Sequence, residues 1–222
     1  EKWSPKSVSS TSVYNISLGL PLRNYPVVKA ALLLLEFISD PLEINDIGLI
    51  LRSPFIVGWQ EEGGARALLD ERLRKAGEML VSLDMLKSFA SKNESSYACP
   101  VFVQRLGEIL ERRVLLNKKM SSGLMSPSKW AEHCSGWLKA TGWTQGRTLN
   151  SEEYLAVEAF KEVVSTFGSL DTVQDAFSER EAINHLGRMT AERIFHPETE
   201  DTPVQVLGML EAAGLCFDHV WI

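Results

Sequence analysis

The sequence predicts a mainly α-helical fold of about eight helices, with a few short β-strands formed by the two ends of the chain. Two observations predict this fold class. Apolar residues recur at spacings of three and four along most of the chain, which is the period of one helix face. Runs that could form strands stand near the ends, at 13–16, 204–207 and 217–222. No internal repeat is visible in the sequence.

The first long helix is predicted to begin at Pro26, because proline lacks the N–H group that the first helical turn leaves unpaired. It should end before Pro41, since a proline disfavours the helical conformation in the residue that precedes it. Residues 27–38 are apolar on nearly every face, so we expect this helix to lie at the centre of the fold.

The other helices are predicted from capping residues and from proline. Their expected starts are Asn45 as an N-cap, Ala65 after a loop at Gly63 and Gly64, Ser82, Cys99 with Pro100, Ser126 with Pro127, Ser151, Asp171, and a capping box of Ser178 and Glu181. Asp70 and Glu71 stand among arginines in the helix that follows Ala65. We interpret this pair as part of an exposed, salt-bridged helix face and not as a metal site.

Composition argues against several classes of function. The net charge of −6 disfavours a free-standing nucleic-acid-binding module, although it leaves room for a local basic patch. The cysteines Cys99, Cys134 and Cys216 are widely spaced and form no CxxC pair, so neither a disulfide framework nor a zinc site is indicated. The longest apolar run, 30–35, is too short to span a membrane. We therefore expect a cytoplasmic protein without a metal or a cofactor.

One segment mixes aromatic and basic residues in the way that single-strand-binding surfaces do. It contains Trp130, Trp137 and Trp143 together with Lys129, Lys139 and Arg147. From this segment we take Lys129, Trp130 and Arg147 as candidates for holding a nucleic-acid strand. The alternative is that the tryptophans pack one helix against another.

A second group of cations stands at the end of the helix that begins at Pro100. Arg112 and Arg113 are followed there by Lys118 and Lys119. Arg112 and Arg113 are candidates for contacts with a DNA backbone. Alternatively, the group is a solvated helix end, where cations suit the helix dipole.

The end of the chain, AGLCFDHVWI from Ala213 onwards, resembles motif V of superfamily I DNA helicases. Aligning Gly214 and Leu215 with the glycine-leucine pair of that motif brings Phe217, Asp218, Val220 and Trp221 into register. Gly208, Leu210, Ala213 and Cys216 then stand where the family has threonine, histidine, lysine and glutamate. The resemblance therefore implies a degenerate motif V that does not support ATP-coupled work.

Other segments carry the same resemblance. Residues 13–38 resemble the stretch after motif IV in helicase-nuclease subunits of the AddB and RecC type, and residues 46–56 resemble the start of their inserted helical subdomain. Residues 66–74 and 129–143 resemble bacterial proteins described as probable DNA repair proteins. Those proteins combine an inactivated helicase body, related to UvrD, with a C-terminal PD-(D/E)XK nuclease.

The resemblance implies three parts of the chain: a lead-in and edge strand of a RecA-like core at 1–25, a helical insertion subdomain at 26–200, and return strands at 201–222. It implies further that 204–207 and 217–222 lie as strands of one sheet edge near 13–16. We expect the chain, whose last residue lies in an apolar run, to be a piece of a longer protein.

The function implied by the resemblance is non-catalytic. The helical part would position single-stranded or forked DNA, or would scaffold a partner subunit of a helicase-nuclease, while a nuclease domain elsewhere cuts. Two alternatives stay open. One is a protein-interaction scaffold without DNA contact. The other is an unrelated all-α enzyme, which needs a pocket with converging polar groups that the sequence does not display.

Overall fold

The computed structural model describes residues 14–16, 19–91, 98–119, 123–173, 176–196, 204–209 and 211–221, and the structural statements below concern these residues. The protein is mainly helical with short strands, which confirms the predicted fold class. The helices are α1 (Pro26–Ser39), α2 (Ile44–Leu51), α3 (Trp59–Lys75), α4 (Leu83–Ala90), α5 (Pro100–Lys119), α6 (Pro127–Ala140), α7 (Ser151–Gly168) and α8 (Glu179–Glu192). The strands are β1 (Tyr14–Ile16), β2 (Leu20–Pro21), β3 (Leu42–Glu43), β4 (Leu80–Val81), β5 (Leu124–Met125), β6 (Phe177–Ser178), β7 (Ile194–Phe195) and β8 (Val204–Val206).

Helix α1 lies at the centre of the fold, as predicted. Ten of its 14 residues are buried, and it packs against α2, α6, α7 and α8. Pro26 occupies its first turn, and the backbone is extended at Asp40, just before Pro41. A helix that is apolar on every face has to be covered on every side, which explains why the other helices surround it.

The eight helices form two repeats of one topology, in the order helix, strand, helix, helix, strand, helix. The first repeat runs from α1 to α4 and contains the antiparallel pair β3–β4, and the second runs from α5 to α8 and contains β5–β6. The first helix of each repeat packs against the last helix of the other, α1 on α8 and α5 on α4. A bridge between Ile56 and Trp143 joins the loop between the second and third helices of one repeat to the equivalent loop of the other. The repeat therefore stands in the order of the elements, whereas the sequence itself shows none.

The two strand candidates at the end of the chain have different outcomes. β1 and β8 pair in parallel, with Tyr14 opposite Val204 and Ile16 opposite Val206, as expected. Residues 217–221 do not form a strand, so the prediction for that run is wrong. Among the described strands none lies beside this run, and an unpaired strand lacks the hydrogen bonds that would hold it extended. The division of the chain into three parts stays a prediction.

Most predicted helix starts agree with the structure. The Ser82 side chain caps α4, and Ser178 forms a capping box with Glu181 at the start of α8. Helix α7 begins at Ser151, but its N-cap is Asn150 and not Ser151. Asn150 also forms a capping box, which is a stronger arrangement than a lone serine hydroxyl provides. Asp171 does not start a helix, because it lies inside the 3-10 helix Ser169–Thr172.

Helix α3 begins at Trp59, six residues before the predicted start at Ala65. Gly63 and Gly64 therefore lie inside the helix and not in a loop. Each glycine costs about 1 kcal/mol relative to alanine in a helix interior, which is why the sequence favours a loop there. Contacts between the buried Glu62 side chain and α5 offset this cost.

A network of side chains holds α2 against α3. Asn45 lies inside α2, whose N-cap is Glu43, so the prediction of Asn45 as the cap is wrong. Its Oδ1 accepts a hydrogen bond from Arg74 Nη1 at 3.0 Å. Arg74 Nε donates to Asp70 Oδ1, also at 3.0 Å, and Asp70 pairs in addition with Arg52. Asp70 is therefore salt-bridged as expected, but it is buried and not exposed.

Candidate nucleic-acid and partner interface

The tryptophans of the predicted strand-binding segment lie in the core. Trp130 is 0% exposed, and its Nε1 donates a hydrogen bond to the carbonyl oxygen of Phe177 at 2.8 Å. Trp137 and Trp143 are buried as well, and Trp143 Nε1 donates to the carbonyl oxygen of Val27 at 2.9 Å. Because a base stacks only on an exposed ring, the prediction that Trp130 holds nucleic acid is wrong. The alternative, in which the tryptophans pack helices together, is confirmed.

Arg147 makes structural contacts with both repeats. Its Nη1 and Nη2 donate to the two carboxylate oxygens of Glu153 at 2.8 and 2.5 Å. Its guanidinium carbon lies 5.0 Å from the centre of the Phe55 ring, which belongs to the first repeat. Hydrogen bonds from Arg147 hold the pKa of the Glu153 carboxyl below its usual range. The two N–H groups that Arg147 donates to Glu153 are therefore not available to donate to a phosphate.

The other three predicted cations have different surroundings. Arg113 Nη2 donates to the carbonyl oxygen of Ser39 at 2.5 Å, at the C-terminal end of α1, where a cation suits the helix dipole. Arg112 is exposed on α5, and Lys129 is exposed in the first turn of α6. Arg112 and Lys129 are thus the members of the predicted set whose positions suit contact with phosphate.

The predicted set does not form one surface. Lys129 lies in the first turn of α6 and Arg147 follows its other end, and a helix of 14 residues is about 21 Å long. Arg113 contacts α1 instead. Within the described part of the chain, no contact joins any of these three residues to another of them. They therefore do not build a continuous basic track.

The segment that resembles motif V forms an exposed turn. Its described motif positions are Gly208, Ala213, Gly214 and Cys216, whereas Leu210 lies outside the described residues. The N–H of Gly208 donates to Glu211 Oε2 at 3.0 Å, and the Gly208 carbonyl accepts the N–H of Glu211 at 3.0 Å. Gly214 has a φ of 87°, a conformation that glycine adopts readily. The turn is therefore made by backbone and by one carboxylate.

A buried charged cluster, which sequence reasoning missed, joins α3 to α5. Glu62 Oε1 accepts the N–H of Val101 at 2.6 Å and Oε2 accepts the N–H of Phe102 at 3.2 Å. The carboxylate thereby caps α5 at the positive end of its dipole. Arg66 is fully buried, pairs with this carboxylate at 2.8 Å and lies over the Phe102 ring. The available signal was the spacing of four residues between Glu62 and Arg66.

A second charged cluster stands at the C-terminal end of α1. Arg180 Nη2, in the first turn of α8, donates to Asp40 Oδ1 at 2.6 Å. Glu179 lies beside them, and its Oε1 is buried without a hydrogen-bond partner in the described structure. Burial raises the pKa of Glu179, and the nearby Arg113 opposes this rise. Because Asp40 and Arg180 are 140 positions apart, no local pattern could have revealed the cluster.

Two of the cysteines belong to the core. Burial raises the pKa of the Cys99 thiol to about 11 and that of the Cys134 thiol to about 12, so neither is a thiolate at neutral pH. Among the residues that are described, no three His, Cys, Asp or Glu side chains are grouped to hold a metal ion. None of the helices in the described ranges has both the length and the apolar character needed to cross a membrane.

No protein-family model, no curated protein and no solved structure matches the chain.

Proposed function

We propose that the chain is a non-catalytic helical module of a helicase-like DNA repair protein, inserted between two neighbouring parallel strands and serving as a scaffold for a partner subunit. The observation that carries this proposal is the parallel pairing of β1 with β8. All eight helices lie between these two strands in the sequence. A helical insertion between strands of a RecA-like sheet, as the resemblance implies, has this connectivity.

Parallel sheets normally contain more strands than the two of the β1–β8 pair. Two strands alone are marginal in water, and parallel strands occur in sheets that are covered on both faces. In β8, however, Val204 and Val206 are each 49% exposed. This exposure supports a setting in which further strands and helices cover the pair.

The residues after β8 support the same setting. Met209 is 89% exposed and Trp221 is 98% exposed, and Leu215, Phe217 and Val220 are exposed as well. A short segment that exposes this many large apolar side chains is typical of a contact site in soluble proteins. In the proposed setting, this segment contacts the rest of the helicase body.

The non-catalytic part of the proposal rests on the residues at the motif V positions. Ala213 and Cys216 stand where the family has lysine and glutamate, so the hydrogen bonds of the motif are not made by these side chains. We therefore expect the purified chain to hydrolyse no ATP in a phosphate-release assay. ATP hydrolysis that a point mutation within the chain abolishes would contradict this expectation.

A protein partner fits the described surface better than DNA does. Trp130 lies in the core, and Arg113 and Arg147 donate to oxygen atoms of the protein itself. The net charge of −6 disfavours a phosphate backbone. DNA positioning is the second candidate function, and it is favoured by the exposure of Arg112 and Lys129.

A titration with fluorescent single-stranded and forked DNA, followed by anisotropy at roughly 50 and 200 mM salt, separates the two functions. The scaffold function predicts no saturable binding even at the lower salt concentration. DNA positioning predicts salt-dependent binding that Arg112→Glu and Lys129→Glu both weaken. Lys29→Glu, which changes the charge of an exposed lysine on α1, is the matched control and should leave binding unchanged.

A further inference from the structure

An open groove with a volume of about 380 Å³ lies at the C-terminal end of α1. Its walls are the end of α1, strand β3 and the first two turns of α8. The lining includes Glu36, Asp40, Leu42, Arg180, Ile183 and Asn184. The groove thus combines an apolar floor with a few charged groups, and its volume is that of a site for one side chain or a small molecule.

The charges of the lining do not balance. Arg180 and Asp40 pair with each other at 2.6 Å, which leaves the carboxylate of Glu36. No hydrogen bond or ion pair joins the side chain of Glu36 to another described residue, although its charge is felt by Arg23. Burial raises the pKa of Glu36, the carboxylate of Asp46 raises it further, and Arg23 opposes the rise. Of the two carboxylates in the lining, Asp40 is therefore paired with a cation of the lining and Glu36 is not.

The cations nearest to the groove have other partners. Arg113 donates to the carbonyl oxygen of Ser39 at 2.5 Å, and it also faces the half-buried Glu179. Arg180 is held by Asp40. Arg23 acts on Glu36 through its charge, but it does not line the groove, so a cation that enters the groove has to come from outside the described structure. A phosphate would meet two carboxylates, so the groove disfavours an anion.

We propose that this groove binds a lysine or arginine side chain carried by a peptide segment of a protein partner. The cationic end would lie against Glu36, and the aliphatic stem would lie along Leu42 and Ile183, since long basic side chains cover apolar surface with their methylene groups. The proposal rests on the scaffold function proposed above, and it names the chemistry by which the partner is recognised.

The probes are single residues, Nα-acetyl-lysine methylamide and Nα-acetyl-arginine methylamide, titrated into the 15N-labelled chain and followed by amide chemical shifts. Nα-acetyl-norleucine methylamide, which has a similar stem and no charge, is the matched control ligand. We expect saturable shifts confined to residues 36–42 and 180–184, with a dissociation constant of about 1–10 mM for such small ligands. The norleucine compound should shift these amides weakly and without saturation.

Two variants decide whether Glu36 and the groove carry the binding. Glu36→Gln should weaken the binding of both cationic probes about tenfold, as the loss of a charge-assisted contact does. Glu43→Gln changes an exposed carboxylate of neighbouring β3 and should have no effect. Asn184→Arg places a guanidinium in the groove and should abolish binding while Glu36 is intact.

An equal response to norleucine, unchanged binding by Glu36→Gln, or shifts outside the groove would each overturn the proposal. If Glu36→Gln does not fold, Asn184→Arg decides alone, because unchanged binding by that variant places the probe elsewhere. These outcomes are separate from the DNA titration and the ATP hydrolysis assay, which test the scaffold function without reference to the groove.

Discussion

The two repeats share one topology but use different residues in their cores. In the first repeat, α3 buries the charged residues Glu62, Arg66 and Asp70. In the second repeat, the counterpart of α3 is α7, which buries Phe160 and Phe167, and the neighbouring α6 buries Trp130 and Trp137. One arrangement of helices thus buries ion pairs on one side of the molecule and large rings on the other.

The two kinds of contact contribute differently to the orientation of the repeats and to the stability of the fold. Glu62 accepts hydrogen bonds from the first turn of α5, so the charged cluster acts between the repeats. Buried ion pairs add little net stability after desolvation, but they are satisfied in one orientation only. Tryptophans stabilise through the large apolar area that they bury. We interpret the charged cluster as setting how the repeats meet, and the rings as stabilising the second repeat.

Among the substitutions that test this comparison, Arg66→Met is expected to change the free energy of unfolding most. The substitution leaves the carboxylate of Glu62 buried without its cation, and we expect a loss of about 3–5 kcal/mol in the free energy of unfolding measured with urea. Lys75→Met, which removes an exposed partner of Glu71 on the same helix, should cost less than about 0.5 kcal/mol.

A double variant sharpens the same test. Glu62→Gln with Arg66→Met removes both charges, so it should be more stable than Arg66→Met alone, because no unpaired charge remains buried. The interpretation would be contradicted if Arg66→Met cost less than about 1 kcal/mol or if the double variant were the less stable of the two.

Trp130→Phe tests the aromatic side of the comparison. It removes the hydrogen bond to Phe177, leaves that carbonyl oxygen buried and opens a small cavity, so we expect a loss of about 2 kcal/mol. Trp221→Phe makes the same change at a ring that is almost fully exposed and should be neutral. Equal effects of the two substitutions in urea unfolding would show that Trp130 is not packed as described.

The serine caps of α4 and α8 stand at the same place in the two repeats. Ser82 Oγ accepts the N–H of Met85, and Ser178 Oγ accepts the N–H of Glu181. Ser82→Ala and Ser178→Ala should each lower the free energy of unfolding by about 1 kcal/mol. If only one of them changed the urea midpoint, the equivalence of the two caps would be refuted.

The smallest effects are expected from two carboxyl groups with opposite pKa shifts. The pKa of Glu36 is raised by burial, so its contribution to stability is fully present below the unfolded pKa and is lost as pH rises through the folded pKa. The pKa of Glu153 is lowered by hydrogen bonds from Arg147, so its contribution is present above the unfolded pKa and is lost as pH falls through the folded pKa.

Urea unfolding at a series of pH values from roughly 3 to 7, on both sides of the usual pKa of a glutamate, measures how the free energy of unfolding changes with pH. Glu36→Gln should remove a loss of stability that the protein otherwise shows as the pH rises. Glu153→Gln should remove a loss that it shows as the pH falls. A change of the same sign in both variants would contradict the described surroundings of one of the two groups.

Local signals predicted most of the helices of this fold, but not the two-residue strands between them. Helices were predicted from signals that lie within a few residues of each other: the apolar run of α1, the prolines, and the caps at Ser82 and Ser178. The start of α3 was missed because two glycines oppose a helix locally, whereas contacts of Glu62 with α5, about 40 positions away, decide the outcome.

The candidate sites were harder to predict because they are built from distant residues. Trp130 has the residue type of a nucleic-acid surface, but its hydrogen-bond partner, the carbonyl group of Phe177, lies 47 positions away and is known only from the folded chain. The groove at Glu36 joins two segments that are about 140 positions apart. The repeated topology escaped detection because its strands have two residues each and the two cores differ in chemistry.

The most direct test of the proposed insertion is a cross-link between β1 and β8. Asn15 and Gln205 are opposite each other in the parallel register. Neighbouring strands lie about 4.8 Å apart, a separation that a disulfide can bridge. In a chain that carries Cys216→Ser, Asn15→Cys with Gln205→Cys should form a disulfide under mild oxidation, whereas Asn15→Cys with Met209→Cys should not. Failure of the first pair to cross-link, or equal cross-linking of both pairs, would contradict the parallel closure on which the proposed function depends.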